Sequence, residues 1–177
     1  MKKLFTYLCI LLFAVVSTIV LPACSSDEKE LNLTGTDIIN YSIRILVKSE
    51  NGDNLFDPAF EGNLLNSNIN AVYKEKTYQL RDIQSIHSSR VIGLDYLGLF
   101  YGEKVEDKYV LTFGEFSGGA PYENESVVIQ WEDGTEDVIT FSSKVVRGEK
   151  GITIYRSFSL NGEFVTDEPF PLLEIIK

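Results

Sequence analysis

The 177-residue chain has only two cysteines, one histidine and one tryptophan. Cys9 falls inside an apolar leader and Cys24 directly follows it, so the domain beyond Cys24 carries no thiol. That excludes a disulfide framework, a thiolate zinc site and a cysteine nucleophile within the domain. The lone histidine, His87, excludes sites that need two or three imidazoles from one chain. It stands near Ser85, Ser88 and Ser89, but a triad assembles in space rather than along the chain. No Gly-x-Ser-x-Gly elbow is present, and His87 reads as an exposed loop residue. Basic residues are outnumbered as well: 16 Lys and Arg against 26 Asp and Glu give a net charge of −10. Such a surface repels phosphate backbones, so no nucleic-acid partner is expected. It also disfavours electrostatic attachment to anionic lipid. Beyond the leader no apolar run approaches the roughly 18 residues of a second membrane span. No segment shows a sustained 3.6-residue apolar stripe, which removes the main signature of amphipathic helices.

What is present begins with the leader itself. Lys2 and Lys3 precede an apolar run from Leu4 to Val20, followed by Leu21-Pro22-Ala23-Cys24. A positive start, an apolar segment and small residues at the cut form a secretory signal. The run of 17 residues could also act as an uncleaved anchor in a thin bilayer, but that reading leaves the cysteine unexplained. Cysteine directly after Ala23 resembles the bacterial lipoprotein signal, whose motif is Leu-x-(Ala/Gly)-Cys. The resemblance implies cleavage after residue 23, lipidation of Cys24 and attachment to a lipid bilayer. Several acyl chains would hold the protein stably, since each buried methylene contributes about 0.8 kcal/mol. Ser25 to Glu30 is a polar, acidic spacer with nothing to bury. Its Ser26–Glu30 portion resembles the acidic export tail of Bacteroidetes-type surface lipoproteins, which implies display outside the outer membrane. A plain hydrophilic linker on a periplasm-facing lipoprotein would read the same way. The chain thus divides into a cleaved signal (1–23), a lipidated tether and acidic spacer (24–36) and a single domain (37–177). Loss of Lys2 and Lys3 takes the net charge to −12, with 14 basic against 26 acidic residues. A mature chain of 154 residues is long enough for one real core.

The domain is written in period two. Ile39, Tyr41, Ile43, Ile45 and Val47 alternate with Asn40, Ser42, Arg44, Leu46 and Lys48, the pattern of a half-buried strand. Further strands are expected at Asn70–Lys74, Thr77–Asp82, Leu94–Tyr101, Tyr109–Phe116, Ser126–Trp131, Asp137–Val146, Ile152–Leu160, Glu163–Thr166 and Leu172–Ile176, all rich in residues that suit pleated surfaces. The expected fold is all-β: an antiparallel β-sandwich of immunoglobulin-like type with about 7–10 strands. Asn161-Gly162 suits a two-residue hairpin turn with positive φ at both positions, which would pair Phe158 with Val165. At the Asp133-Gly134 turn two registers compete. A two-residue loop sets Ile129 against Val138, whereas a three-residue loop from Asp133 to Thr135 sets Val127 against Phe141 and Ile129 against Ile139. The second gathers larger side chains and is favoured, although its glycine position fits less well.

Candidate chemistry concentrates in loops. Asn51, Asp53 and Asp57 are spaced loosely like calcium ligands. The twelfth position from Asn51, where an EF-hand needs a bidentate Glu, is Gly62, and Asn51-Gly52-Asp53 also serves as ordinary turn chemistry. Asp57-Pro58 suits the start of one helical turn. Gly118-Gly119 lies between strands beside Glu115 and Glu123, a poor setting for a phosphate. Paired carboxylates of a glycosidase need only a separation of about 5–9.5 Å, and nothing marks a particular pair. No catalytic residue is assigned. Trp131 at a strand end, with Tyr122 and Tyr101 near loop ends, could stack on a sugar ring. The expected function is a membrane-anchored, non-catalytic interaction module whose loops Asn51–Asn68 and Phe116–Asn124 meet a surface protein or a glycan. The alternatives are a carbohydrate-binding accessory lipoprotein of a glycan-uptake system, and an adhesive subunit whose edge strand, near Leu172–Ile176, is completed by another chain. No cofactor beyond calcium is suggested.

Overall fold

The computed structural model describes residues 31–33, 40–86, 97–148 and 151–177. Cys24 and His87 lie outside them, as does the leader. The described chain is all-β, with strands β1 (Leu31–Leu33), β2 (Tyr41–Lys48), β3 (Asn70–Tyr73), β4 (Lys76–Asp82), β5 (Leu99–Val105), β6 (Lys108–Phe116), β7 (Tyr122–Gln130), β8 (Glu136–Gly148), β9 (Gly151–Leu160), β10 (Glu163–Thr166) and β11 (Leu172–Ile176). One 3-10 turn, Ile83–Ile86, follows β4. Ten strands form one open path in the order β1-β9-β8-β7-β3-β4-β5-β6-β2-β11, and β10 pairs with β9 beside it. The pairing is antiparallel except at β4–β5 and β2–β11.

This sheet folds back on itself. Phe116 at the end of β6 and Phe141 in β8 have ring centroids 4.8 Å apart, although four strands separate them along the path. The crossing falls at β4, whose first half pairs antiparallel with β3 and whose last residues, Leu80 to Asp82, pair parallel with β5. The inward faces then share one core. Alternation places Tyr41, Ile43, Ile45 and Val47 of β2, Val127 and Ile129 of β7, and Ile139 and Phe141 of β8 in a single buried cluster. Each of these aliphatic or aromatic side chains contributes about 1.5–3 kcal/mol by leaving water.

Local chemistry sets the hairpins. Asn161 and Gly162 have φ of 52° and 85°, and Leu160 pairs with Glu163 across them, as a two-residue turn requires. The expected Phe158–Val165 pair does not form. A bulge between Phe164 and Thr166 brings Thr166 opposite Phe158. The other hairpin follows neither expected register: Val127 faces Ile139, Val128 faces Val138 and Ile129 faces Asp137. Its loop is Glu132-Asp133-Gly134, closed by the Trp131 amide donating to the Thr135 carbonyl at 3.0 Å. Gly134 takes φ +81° at the last loop position, where a three-residue hairpin loop needs a left-handed residue. The glycine, not the bulk of the facing side chains, sets this register.

Asp57-Pro58 forms a turn rather than a helix: the Phe60 amide donates to the Asp57 carbonyl at 3.0 Å and the Ala59 amide to Asp57 Oδ1 at 2.9 Å. Loop 51–68 packs down, with Leu55 and Phe56 buried. β5 runs on to Val105, beyond the expected Tyr101, because Gly102 at φ +98° carries a register shift and lets pairing with β6 resume at Glu103.

Candidate binding site

Strand β9 buries Ile152, Ile154, Arg156 and Phe158 in alternation. Arg156 therefore points inward where an aliphatic residue would be ordinary. Its cross-strand partner on β8 is Ser143, and Ser143 in turn pairs with Tyr122 on β7. The three residues form one row across the sheet. From the other half of the fold, Tyr41 lies over the row, with its ring centroid 3.7 Å from the guanidinium carbon. Phe170 stacks at 5.0 Å, and Arg156 Nη1 donates to the Pro169 carbonyl at 2.7 Å.

Arg156 is 3% exposed, yet its Nε and Nη2 have no hydrogen-bond partner. Ser143 Oγ and the Tyr41 hydroxyl lie near enough for Ser143 to draw the Tyr41 pKa down slightly, but they make no well-aligned hydrogen bond, and among the described residues these four are the buried side-chain polar atoms so left. All four belong to three adjoining residues. No carboxylate pairs with the guanidinium among the described residues. Burial pulls the Arg156 pKa down to about 10, with the neighbouring Tyr41 and Tyr122 acting the other way. Burial also pushes the Tyr41 hydroxyl well above its usual range. Near neutral pH, Arg156 is thus charged and Tyr41 neutral. A buried unpaired donor costs about 1–3 kcal/mol. Desolvating the charge itself costs several kcal/mol more, while a desolvated cation–π contact returns about 2 kcal/mol, so the guanidinium's surroundings leave it under-compensated.

Among the described residues, β1 pairs with Ile152 to Ile154 and β10 with Phe158 to Leu160, on either side of Tyr155–Ser157. A cleft of about 440 Å³ adjoins this stretch, lined by Arg156, Ser143, Lys144, Tyr122 and Phe164, with Glu123 and Asp167 also in its lining. Phe164 is 65% exposed. Loop 116–124 supports the rim: the Ser117 amide donates to the Tyr122 hydroxyl at 3.1 Å and the Gly118 amide to Asn40 Oδ1 at 3.3 Å.

The three aromatic residues singled out from the sequence do not converge. Trp131 and Tyr122 flank opposite ends of β7, about 30 Å apart. Tyr101 packs against the core from β5. Trp131 is 6% exposed and presents little open ring to a sugar. Its Nε1 donates to Asp137 Oδ2 at 2.7 Å, and the Lys177 ammonium sits 4.8 Å from its ring centroid. Asp137 also accepts from Asn161 Nδ2 at 2.8 Å and pairs with Lys177 Nζ at 3.0 Å. Burial alone would raise the Asp137 pKa, but the bonds from Asn161, Lys177 and Trp131 outweigh it and hold the carboxyl below its usual range. Trp131 borders a groove of about 390 Å³ with Leu55, Leu64 and Ile69, so the loops 51–68 and 116–124 serve opposite ends of the molecule.

The calcium candidates are engaged in turns. Asp53 Oδ2 accepts from Ser49 Oγ at 3.1 Å, Asp57 Oδ1 caps Ala59, and the Asn51 amide donates to Ser49 Oγ at 3.2 Å. Among the described residues no three His, Cys, Asp or Glu side chains gather as a metal site would need. Sequence reasoning missed Arg156, although a signal was there: a charged residue at an inward position of Ile152-x-Ile154-x-Arg156-x-Phe158. No family model, curated protein or solved structure matches the chain.

Proposed function

We propose that this protein is a lipid-anchored, non-catalytic binding module of the outer membrane, displayed to the cell exterior, with its ligand site in the Arg156 cleft. The observation that carries the binding reading is that three of the four buried polar atoms without a hydrogen bond, Arg156 Nε and Nη2 and Ser143 Oγ, belong to residues lining one cleft. Native interiors leave few such atoms, and each calls for a reason. The lipoprotein motif at Leu21–Cys24 and the acidic Ser26–Glu30 support the address. The folded-back sheet supports a β-sandwich, and the immunoglobulin-like variant remains the proposed type. β1 begins at Leu31, inside the expected 24–36 tether, so six residues separate Cys24 from the first strand. Even fully extended, that tether spans roughly 25 Å, so the cleft, which adjoins the start of β1, works close to the bilayer.

A carbohydrate-binding role fits the same cleft better than it fits Trp131, because Tyr122 and Phe164 share its rim. A thermal-shift screen of the full chain in detergent against sugars and small organic acids tests the binding reading. At least one compound should raise the wild-type midpoint and leave that of Arg156→Gln unchanged; a screen in which nothing separates the two proteins rejects it. The adhesive reading has its own support: β11 ends the strand path and Ile176 is 61% exposed, as addition of a partner strand requires.

A further inference from the structure

We infer that the Arg156 cleft takes the carboxylate of a flat-ringed organic acid, held by Arg156 Nε and Nη2 with Ser143 Oγ as a further donor. This rests on the cleft being a ligand site, and it names the chemistry of the ligand. Nη1 is committed to the Pro169 carbonyl. What remains is the side of the guanidinium where Nε–H and Nη2–H run parallel. That side meets the two oxygens of a carboxylate in a bidentate pair, the strongest neutral-pH partner a guanidinium has. Ser143 stands directly across the β8–β9 ladder with a hydroxyl that makes no well-aligned hydrogen bond and whose proton is open to an acceptor, and both residues are walls of the cleft.

Charge selects among anions. Glu123 and Asp167 offset Lys144 and Arg156 among the lining residues, and the chain carries a net charge of −10, a balance that opposes a phosphate dianion more than a monoanion. Shape selects the body of the ligand. Pro121, Tyr122 and Phe164 offer flat apolar walls, against which a ring packs offset or edge-on.

Calorimetric titration of the full chain in detergent with benzoate, benzamide, glucose and inorganic phosphate tests this. Benzoate should bind saturably, and benzamide, its neutral isostere, at least tenfold more weakly. Arg156→Lys should weaken benzoate binding at least tenfold, because an ammonium cannot present the fork. Ser143→Ala should weaken it about tenfold, and it provides the same readout if the arginine variant does not fold. Equal binding of benzoate and benzamide, a preference for phosphate, or binding indifferent to Arg156→Lys and Ser143→Ala would overturn the inference. So would silence from benzoate. In each of those cases the thermal-shift screen still decides separately whether the cleft is a ligand site, since a neutral sugar that depends on Arg156 would keep that reading while removing the carboxylate.

Discussion

Asp137 and Arg156 are the two buried charged residues among those described, and their surroundings differ in kind. Asp137 accepts from an indole, an amide and an ammonium, so its desolvation is compensated. Removing the carboxylate strands three donors. Asp137→Ala should therefore lower stability by about 3 kcal/mol in urea unfolding. The pH dependence has a definite sign. A carboxyl held below its usual pKa of 3.8 contributes stability that is present above that pH and is lost as pH falls through the folded value. Wild type should lose stability on going from about pH 5 to pH 2, and Asp137→Asn should show a flatter profile over the same range. A steeper loss in the variant would contradict this assignment. Arg156 has one hydrogen bond and two ring contacts, with Nε and Nη2 left over. Neither role was legible from residue type alone. Trp131 reads from the sequence as a strand-end ring that could stack on a sugar, but Lys177 covers it and Asp137, itself held by Asn161, takes its indole N–H, partners that sequence distance hides. Arg156 was legible in principle, because period two already placed it inward.

Strand elements were the readable level. Nearly every run of alternating Val, Ile, Tyr and Phe became a strand, because a pleated half-buried surface imposes that alternation directly. Turns were readable where a residue had one conformation to offer. Asn161-Gly162 fixes its hairpin, and Gly134, the one residue there suited to a left-handed position, fixes the other over the bulk of the facing side chains. Two further hairpins gave no warning: Lys74-Glu75 and Glu106-Asp107 take positive φ without glycine or asparagine, driven by the strands they join. Gly134→Ala isolates the backbone term, because a Cβ there meets nothing within 4 Å. The substitution should cost about 1–2 kcal/mol with the fold retained, as measured by the urea midpoint and circular dichroism. An unchanged midpoint would mean that the loop does not hold the register.

At the scale of the whole molecule, strand order was not legible. The parallel β2–β11 and β4–β5 pairs join segments far apart in sequence or bridge a crossing, and local pattern carries no record of such partners. The tether is a separate claim. Cys24→Ala should shift the protein out of the membrane fraction, and protease added to intact cells should digest the wild-type domain. Retention in membranes by the variant would point to an uncleaved anchor. The binding account rests on the guanidinium being kept at a cost to folding. Urea unfolding of the full chain in detergent, wild type against Arg156→Met with no ligand added, measures that cost. An apolar side chain of similar reach relieves the unpaired donors, so the variant should be more stable by about 1–2 kcal/mol. A variant less stable than wild type by that margin would show that Arg156 serves the fold, and the cleft would lose its claim to a ligand.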